Sequence, residues 1–210
     1  MSTNKGKFIT LEGGEGVGKT TNVPFIRDYL ESRGIPVTVT REPGGTLVAE
    51  KIRGLLLDKN SEDLTDQTEI LLMFAARSQH LKKVIQPALA QGQWVLCDRF
   101  TDATYAYQGG GRGMSLAVIQ WLENFVQGDL RPDLTFLLDI PVEIGMSRAK
   151  NRSVELDRFE SEHSQFFDRI RQVYLQQAQH YPARIKVINA DQPLESVQEQ
   201  LIETLNKLLS

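Results

Sequence analysis

The sequence predicts a three-layer α/β domain in which a five-stranded parallel sheet carries helices on both faces. Five short apolar or β-branched runs alternate with longer segments of helical periodicity, and this alternation is typical of a parallel sheet covered by helices. A glycine-rich loop also joins the first of these runs to the first helical segment. The 210 residues suit one domain, 1–210, which is long enough to bury about 70% of its unfolded surface.

The first strand, loop and helix form a phosphate-binding unit. Phe8–Leu11 is apolar enough for a buried strand, and Thr20–Leu30 has the periodicity of a helix that Gly34 closes. The pattern G-x-x-x-x-G-K-[ST] lies between them, and it binds phosphate when it joins a strand to a helix. Pro24 fits only the first turn of a helix, so we expect this helix to start late or to kink there.

Each fixed position of the loop has a physical role in holding a polyphosphate. Glycines let backbone N–H groups approach phosphate oxygens without Cβ atoms in the way. Lys19 supplies a compact cation for the transferable phosphate, and the Thr20 hydroxyl suits Mg²⁺. The predicted nucleotide-phosphate site comprises Gly13, Gly14, Glu15, Gly16, Val17, Gly18, Lys19 and Thr20.

Charged residues follow the next predicted strands. Val37–Thr40 is a β-branched strand that leads to Arg41, and Trp94–Cys97 is a strand that leads to Asp98 and Arg99. Ligands bind at the carboxyl edge of an open parallel sheet, which makes these three residues candidates. An apolar run that ends in Asp is typical of the carboxylate that helps hold Mg²⁺ beside a phosphate loop. A solvated loop cation is an equal alternative for Arg41.

Two helices are predicted between these strands. Leu47–Leu57 is the first, and Asp66-x-x-Glu69 predicts a capping box that starts a second helix ending near Gln91. Apolar residues cover more than one face of the second helix, so we expect it to contact the core and also a partner subunit or a ligand.

The segment Thr101–Gly113 combines hydrogen-bonding and aromatic side chains with a run of glycines. Thr104, Tyr105, Tyr107 and Gln108 suit a planar base held by stacking and edge hydrogen bonds, and a flexible surface loop is the alternative. The remaining predicted elements are a helix at Ser115–Gln127, a strand at Leu134–Asp139, a helix from Pro141, a helix at Gln165–Tyr181, a strand at Ile185–Asn189 and a final helix from Asp191–Pro193.

Composition argues against several classes of partner. The net charge of −3 leaves no general basic surface for a nucleic-acid polymer. The single cysteine, Cys97, excludes an intramolecular disulfide and suits a reducing compartment. No apolar run approaches the ~20 residues of a membrane span, and the first residues do not resemble a signal peptide, so we expect a cytoplasmic protein with no membrane partner.

Six sequence blocks together are similar to the bacterial thymidylate kinase family. In the family's order and spacing they are 11–21 (LEGGEGVGKTT), 41–45 (REPGG), 74–77 (FAAR), 98–100 (DRF), 107–113 (YQGGGRG) and 155–160 (ELDRFE). The resemblance implies the P-loop NTPase fold and transfer of the ATP γ-phosphate to dTMP, which gives dTDP and ADP in dTTP synthesis. It also implies Mg²⁺ and a homodimer, with dTMP and ATP as the small-molecule substrates.

The resemblance also implies roles for particular residues. The catalytic candidates are Lys19, Arg99, Glu15, Arg148 and Arg152, and a lid covers about 145–160. The substrate-binding candidates are Arg41, Phe74, Arg77, Arg99, Thr104, Tyr107, Gln108 and Asp157. The metal candidates are Thr20, Asp98 and Glu160.

Several alternatives stay open. Phe74 precedes Arg77 by three residues where some relatives have four, so Met73 is an alternative residue to stack on thymine. The lid is about a residue longer than in some relatives, so the arginine that reaches the transferring phosphate is not fixed. A kinase for another monophosphate, a nucleotide-dependent switch and an inactive binding protein are the rival functions, and the intact Lys19 argues against the last.

Overall fold

A five-stranded parallel sheet lies at the centre of the computed structural model, which describes residues 6–58, 64–150, 158–159 and 163–209. The strand order is β2-β3-β1-β4-β5. The strands are β1 (Phe8–Glu12), β2 (Val37–Arg41), β3 (Trp94–Asp98), β4 (Leu134–Asp139) and β5 (Ile185–Asn189). Every pairing is parallel, and the predicted sheet is confirmed.

Helices cover both faces of the sheet. They are α1 (Lys19–Glu31), α2 (Leu47–Leu57), α3 (Asp66–His80), α4 (Gln86–Ala90), α5 (Thr101–Thr104), α6 (Leu116–Gln127), α7 (Val142–Lys150), α8 (Ser164–His180) and α9 (Leu194–Leu209). Two π-helical segments, Leu81–Ile85 and Tyr105–Gly111, lie between α3 and α4 and after α5. Among the helices that the structure describes, none is both long and apolar enough to cross a lipid bilayer.

Side chains of the central strand alternate between two cores. Ile9 and Leu11 pack with apolar residues of α1 and α9 on one face of the sheet. Phe8 packs on the other face, with residues of the α3–α4 region and with Phe100. All of β1 is buried, as expected for a strand covered on both faces.

The strand order brings the predicted charged residues to one edge. Leu11 of β1 pairs with Asp98 of β3, and Asp98 pairs in turn with Arg41 of β2. The phosphate loop follows β1 at the same edge of the sheet. The strand order reverses near β1, and ligands of open α/β sheets bind at the carboxyl ends of strands at such a point. Topology therefore collects residues that are far apart in the sequence.

The long helix predicted to end near Gln91 is confirmed in its extent, since helical residues run without a gap from Asp66 to Ala90, but it is wrong as a regular α-helix. It is interrupted by the first π-helical segment, directly before α4 and its Pro87. Proline has no N–H to donate and its ring clashes with the preceding turn, which accounts for the change from α-helical to π-helical bonding just before Pro87.

The capping box predicted at Asp66 and Glu69 is also wrong. Thr65 caps α3, and its Oγ1 accepts a hydrogen bond from the N–H of Thr68 at 3.3 Å. Glu69 is fully buried and bonds to Gln108 instead. Of the two alternatives for Pro24, a late start of the first helix is excluded, since α1 begins at Lys19 and Pro24 lies in its second turn.

The alternative of a flexible loop at Thr101–Gly113 is excluded. The segment is helical throughout α5 and the second π-helical segment, and Thr104, Tyr107 and Gln108 are buried. Gly111 has no room for a Cβ, which would lie 2.5 Å from the ring of Phe166. The glycine run therefore serves close packing against α8.

Replacement of Thr65 by alanine should lower the free energy of unfolding by about 1 kcal/mol, because the cap of α3 is lost. Chemical denaturation would measure the change. Asp66→Ala is the matched control, since Asp66 makes no cap bond and should have a smaller effect. Equal losses in the two variants would contradict the assignment of Thr65 as the cap.

Candidate functional site

A cavity of about 220 Å³ opens at the carboxyl edge of the sheet. Its wall combines the phosphate loop with residues of β2, α3, β3 and the second π-helical segment. Among the predicted site residues it collects Glu15, Gly16, Val17, Gly18, Lys19, Thr20, Arg41, Arg77, Asp98, Arg99, Thr104 and Tyr107. Arg53, which is not among the residues predicted from the sequence, also lines it, as does Phe159, which the family resemblance places beside the sugar and the metal.

Some predicted site residues lie elsewhere. Arg148 is at the end of α7, where it donates to the carbonyl of Ala190 at 3.2 Å. Arg152, Asp157 and Glu160 lie outside the described residues. The lid predicted for about 145–160 is described only in part, through α7 and residues 158–159.

Lys19 is held by its own loop. Its ammonium donates to the carbonyls of Gly13 at 3.1 Å and Gly14 at 2.8 Å, and its side chain is buried. Burial, with the nearby cation of Arg99, lowers the pKa of Lys19 to about 8. The amine is therefore protonated at neutral pH but closer to losing its proton than an exposed lysine.

The loop is also fitted tightly to α7. Gly16 has a φ of +70°, and a Cβ on it would lie 1.9 Å from the carbonyl oxygen of Gly145. A Cβ on Gly145 would in turn lie 2.4 Å from the carbonyl oxygen of Glu15. The two glycines thus let the loop and the helix touch backbone to backbone.

Arg99 joins the loop to the opposite wall of the cavity. One guanidinium nitrogen donates to the carbonyl of Gly13 at 3.0 Å, and the other donates to Glu15 Oε1 at 2.5 Å. The hydroxyl of Tyr107 donates to the same Glu15 oxygen at 2.7 Å. Burial alone would lower the pKa of Arg99, but its anionic and phenolic neighbours hold it well above its usual value. Arg99 is thus a fixed positive charge beside the phosphate loop.

Arg77 presents a fixed hydrogen-bonding edge to the cavity. Its Nε donates to Glu42 Oε2 at 2.7 Å, and its Nη2 donates to the carbonyl of Phe100 at 3.2 Å and to Thr104 Oγ1 at 3.0 Å. His80 bonds the other oxygen of Glu42 through Nδ1 at 3.0 Å. Among the described residues, the buried Nη1 of Arg77 has no hydrogen-bond partner. A planar ligand with an acceptor would satisfy it.

The structure separates the two candidates for stacking on a base. Phe74 is almost fully buried in a core cluster with Ile70, Ile119 and Leu122. Its ring lies against the guanidinium of Arg77 at 4.8 Å. Met73 lines the cavity one position earlier. The exposed wall at this turn of α3 is therefore Met73, and Phe74 supports Arg77 from behind.

Gln108 lies behind the cavity wall. It is fully buried, and its Nε2 donates to Glu69 Oε1 at 2.8 Å. Glu69 also accepts from Arg158 Nη2 at 2.5 Å, next to Phe159. Sequence reasoning missed the roles of Glu42 and Glu69, because a glutamate beside a glycine turn or in a first helical turn gives no sign that it will be buried.

Asp98 and Thr20 supply oxygen atoms near the loop. Within the described part of the chain, Asp98 Oδ1 is buried and lacks a hydrogen-bond partner. The described residues contain no group of three or more His, Cys, Asp or Glu side chains that could hold a metal ion. One carboxylate and one hydroxyl, with phosphate oxygens and water as further ligands, nevertheless suit Mg²⁺.

Cys97 is a packed strand residue, as the sequence predicts. It is fully buried, and burial raises the pKa of its thiol well above the usual value. A nucleophilic role would require the opposite shift.

Comparison with known proteins identifies close relatives. A family model described as thymidylate kinase matches residues 11–201. A thymidylate kinase of Pseudomonas savastanoi pv. phaseolicola is 59% identical over 97% of this chain and 97% of its own length. A thymidylate kinase of Chromohalobacter salexigens is 57% identical over 98% of this chain and 97% of its own length. A crystal structure of thymidylate kinase from Ehrlichia chaffeensis superposes with a TM-score of 0.77 at 35% identity, over 95% of this chain and 98% of that one.

The affinity for ATP, the nucleotide expected at the loop, should fall as the pH rises above 8. We expect the protonated form of Lys19 to hold phosphate, and this form is lost as the pH rises through the lowered pKa of about 8. The limiting slope is about tenfold per pH unit, because one proton is then taken up on binding. Calorimetric titration between pH 7 and pH 9.5 would measure it.

Lys19→Ala is the control for this pH profile. It should bind ATP more weakly at every pH, and its affinity should change little between pH 7 and pH 9.5, since Arg99 keeps its charge. A wild-type affinity that stays constant across the range would contradict the role of Lys19.

Proposed function

The chain belongs to the thymidylate kinase family, and we propose that it binds ATP and dTMP head to head across the cavity described above. It is a nucleoside monophosphate kinase, which transfers the γ-phosphate of ATP to dTMP and gives ADP and dTDP for dTTP synthesis. We assign the phosphate loop to ATP and the wall around Arg77 to the base of dTMP.

The donor side is the phosphate loop. The ammonium of Lys19 would exchange the carbonyls of Gly13 and Gly14 for phosphate oxygens of ATP, and the free N–H groups at the start of α1 would face the same anion. Thr20 and Asp98 would hold Mg²⁺, which neutralises charge on the phosphates when bound. Glu160 is a further proposed ligand, outside the described residues.

The acceptor side starts from one observation, the buried and unpartnered Nη1 of Arg77. Arg77 lines the cavity from α3, and a thymine carbonyl oxygen would accept a hydrogen bond from this nitrogen. Met73 would lie against the base, with Phe74 and Gln108 as its supports. The pyrimidine thus occupies the end of the cavity beyond the phosphate loop.

The acceptor phosphate would lie between the two ends. Arg41 and Arg99 both line the cavity, and both suit a phosphate as bidentate donors. Tyr107, held by Glu15, would lie beside the sugar, and Thr104 beside the base. This order places the phosphate of dTMP next to Lys19.

The chemistry is alignment and charge neutralisation. Phosphoryl transfer needs little covalent help from the protein, and cations supply most of the stabilisation. Lys19 and Arg99 are fixed in the cavity, whereas Arg148 and Arg152 would approach the transferring phosphate from the lid. Asp157 would bind dTMP beside its sugar. We also propose that the lid and the phosphate loop belong to one domain, 1–210.

We further propose a homodimer formed through α6. Trp121 and Phe125 stack in parallel on this helix, with ring centroids 5.5 Å apart, and are 64% and 75% exposed. Leu116 and Val118 of the same helix and Leu71 of the adjacent α3 are also exposed. Large apolar side chains grouped in this way are typical of an interface.

We also propose a cytoplasmic location, which fits the single cysteine and the nucleotide substrates.

The proposed function predicts the order of acceptors in a coupled assay of ADP release. Turnover with dTMP should exceed that with dUMP by about 10–200-fold, because dUMP lacks one methyl group. UMP and dCMP should be poorer still, since one adds a hydroxyl near Tyr107 and the other presents an amino donor to the donors of Arg77. A protein that leaves dTMP unchanged while converting another acceptor would refute the assignment.

Arg77→Ala should raise the KM for dTMP by about 10–100-fold, because a charge-assisted hydrogen bond to the base is lost. The KM for ATP should change much less. Arg77→Lys keeps a cation beside the buried Glu42 and is the second variant if the alanine variant is unstable. It should also raise the KM for dTMP much more than the KM for ATP. Equal effects on both substrates would remove Arg77 from the base pocket.

Trp121→Glu should convert the homodimer to a monomer, because it places a charge in an apolar interface. Light scattering of the eluting protein would measure the mass. Leu194→Glu is the control, since Leu194 is an exposed apolar residue of α9 and should leave the mass unchanged. A wild-type protein that is monomeric at micromolar concentration would contradict the proposal.

A further inference from the structure

The backbone of Arg99 has an unusual conformation. Among the described residues, it is the only non-glycine residue with a positive φ, at 66°. A side chain in the left-handed region is disfavoured and persists only where the surrounding structure holds it. This conformation follows directly on β3 and turns the side chain toward the phosphate loop.

Three contacts hold the backbone around Arg99. The N–H of Arg99 donates to the carbonyl of Leu11 at 3.0 Å, and the thiol of Cys97 donates to the carbonyl of Arg99 at 3.0 Å. The next N–H along the chain, that of Phe100, donates to Glu12 Oε1 at 2.7 Å. Glu12 is the only charged side chain of the three partners.

Glu12 is an acid in an unfavourable place for a charge. It is fully buried at the end of β1, and its other oxygen accepts from the hydroxyl of Tyr174 at 2.8 Å. Burial, followed by the nearby Asp102, raises the pKa of Glu12 to about 7. Both oxygens are used by neutral donors, so the carboxyl group is oriented rather than simply neutralised.

We propose that Glu12 is a positioning residue that fixes the left-handed turn at Arg99 through the N–H of Phe100. The inference rests on the proposed function, in which Arg99 grips the acceptor phosphate. The carbonyl of Phe100 accepts from Arg77 Nη2 at 3.2 Å, so the residue that Glu12 anchors also contacts the arginine that reads the base. Arg77 is itself fixed by Glu42 and Thr104, so Glu12 sets where Arg99 lies relative to Arg77.

Two substitutions distinguish the length of the side chain at position 12 from its acidity. Glu12→Gln keeps an oxygen that can accept from Phe100 and an amide that can bond to Tyr174, so kcat/KM for the acceptor should stay within about threefold of wild type. Glu12→Asp keeps the carboxyl group but shortens the side chain by one methylene. It should lower kcat/KM by about 100-fold, the loss expected for a reactive group displaced by about 1 Å.

The decisive readout repeats both substitutions in an Arg99→Ala background. There Glu12→Asp should cost less than about threefold, because the side chain that Glu12 positions is absent. A loss of the same size in both backgrounds would overturn the proposal, as would a severe loss in Glu12→Gln with a normal Glu12→Asp. Thermal unfolding of each variant reports whether it folds.

If Glu12→Asp does not fold, a crystal structure of Glu12→Gln is the second readout. The N–H of Phe100 should still donate to the side chain at position 12, and Arg99 should keep its positive φ. A normal kcat/KM with that hydrogen bond lost would overturn the proposal. Tyr174→Phe does not serve here, because the Tyr174 hydroxyl also accepts a hydrogen bond from Arg99 Nη1 at 3.4 Å. The acceptor is whichever monophosphate the wild-type protein converts. Failure of the proposed function appears as a wild-type protein inactive on dTMP, whereas failure of the Glu12 inference appears as an effect independent of Arg99.

Discussion

The bonds from Arg99 to the phosphate loop are the interaction on which the rest of the site depends. One nitrogen of its guanidinium binds the carbonyl of Gly13 and the other binds Glu15, so a residue that follows β3 becomes part of the loop that follows β1. Parallel pairing of Leu11 with Asp98 brings the two segments together. The proposed donor and acceptor sites are therefore built on neighbouring strand ends, and neither can move far without the other.

A second layer of buried acids orients the groups that face the cavity. Glu42 holds Arg77, Glu69 holds Gln108, and Glu12 holds the N–H that follows Arg99. Each acid is almost fully buried, and each would be unfavourable without its donors. The chain carries a net charge of −3, yet its cavity is lined by fixed positive charge. Local arrangement, rather than overall charge, draws the anionic substrates.

Much of this architecture is visible in the sequence, for physical reasons. The strands are short apolar runs bounded by turns, and the loop pattern fixes where the first helix begins, so both were predicted to within about two residues. The second π-helical segment was missed, because Thr101–Gly113 has no helical periodicity and is held by packing against α8. The choice between Met73 and Phe74 depends on the rotation of α3, which spacing alone does not determine. The burial of Glu69 reversed its expected role as a cap.

The central claim is that two nucleotides lie head to head across one cavity, and a crystal structure with a dinucleotide that joins adenosine and deoxythymidine through a phosphate chain tests it most directly. The thymine should lie beside Met73 with a carbonyl oxygen within hydrogen-bond distance of Arg77 Nη1, and the ammonium of Lys19 should contact phosphate in place of the Gly13 and Gly14 carbonyls. A thymine bound away from Arg77, or a phosphate chain that does not enter the loop, would contradict this arrangement.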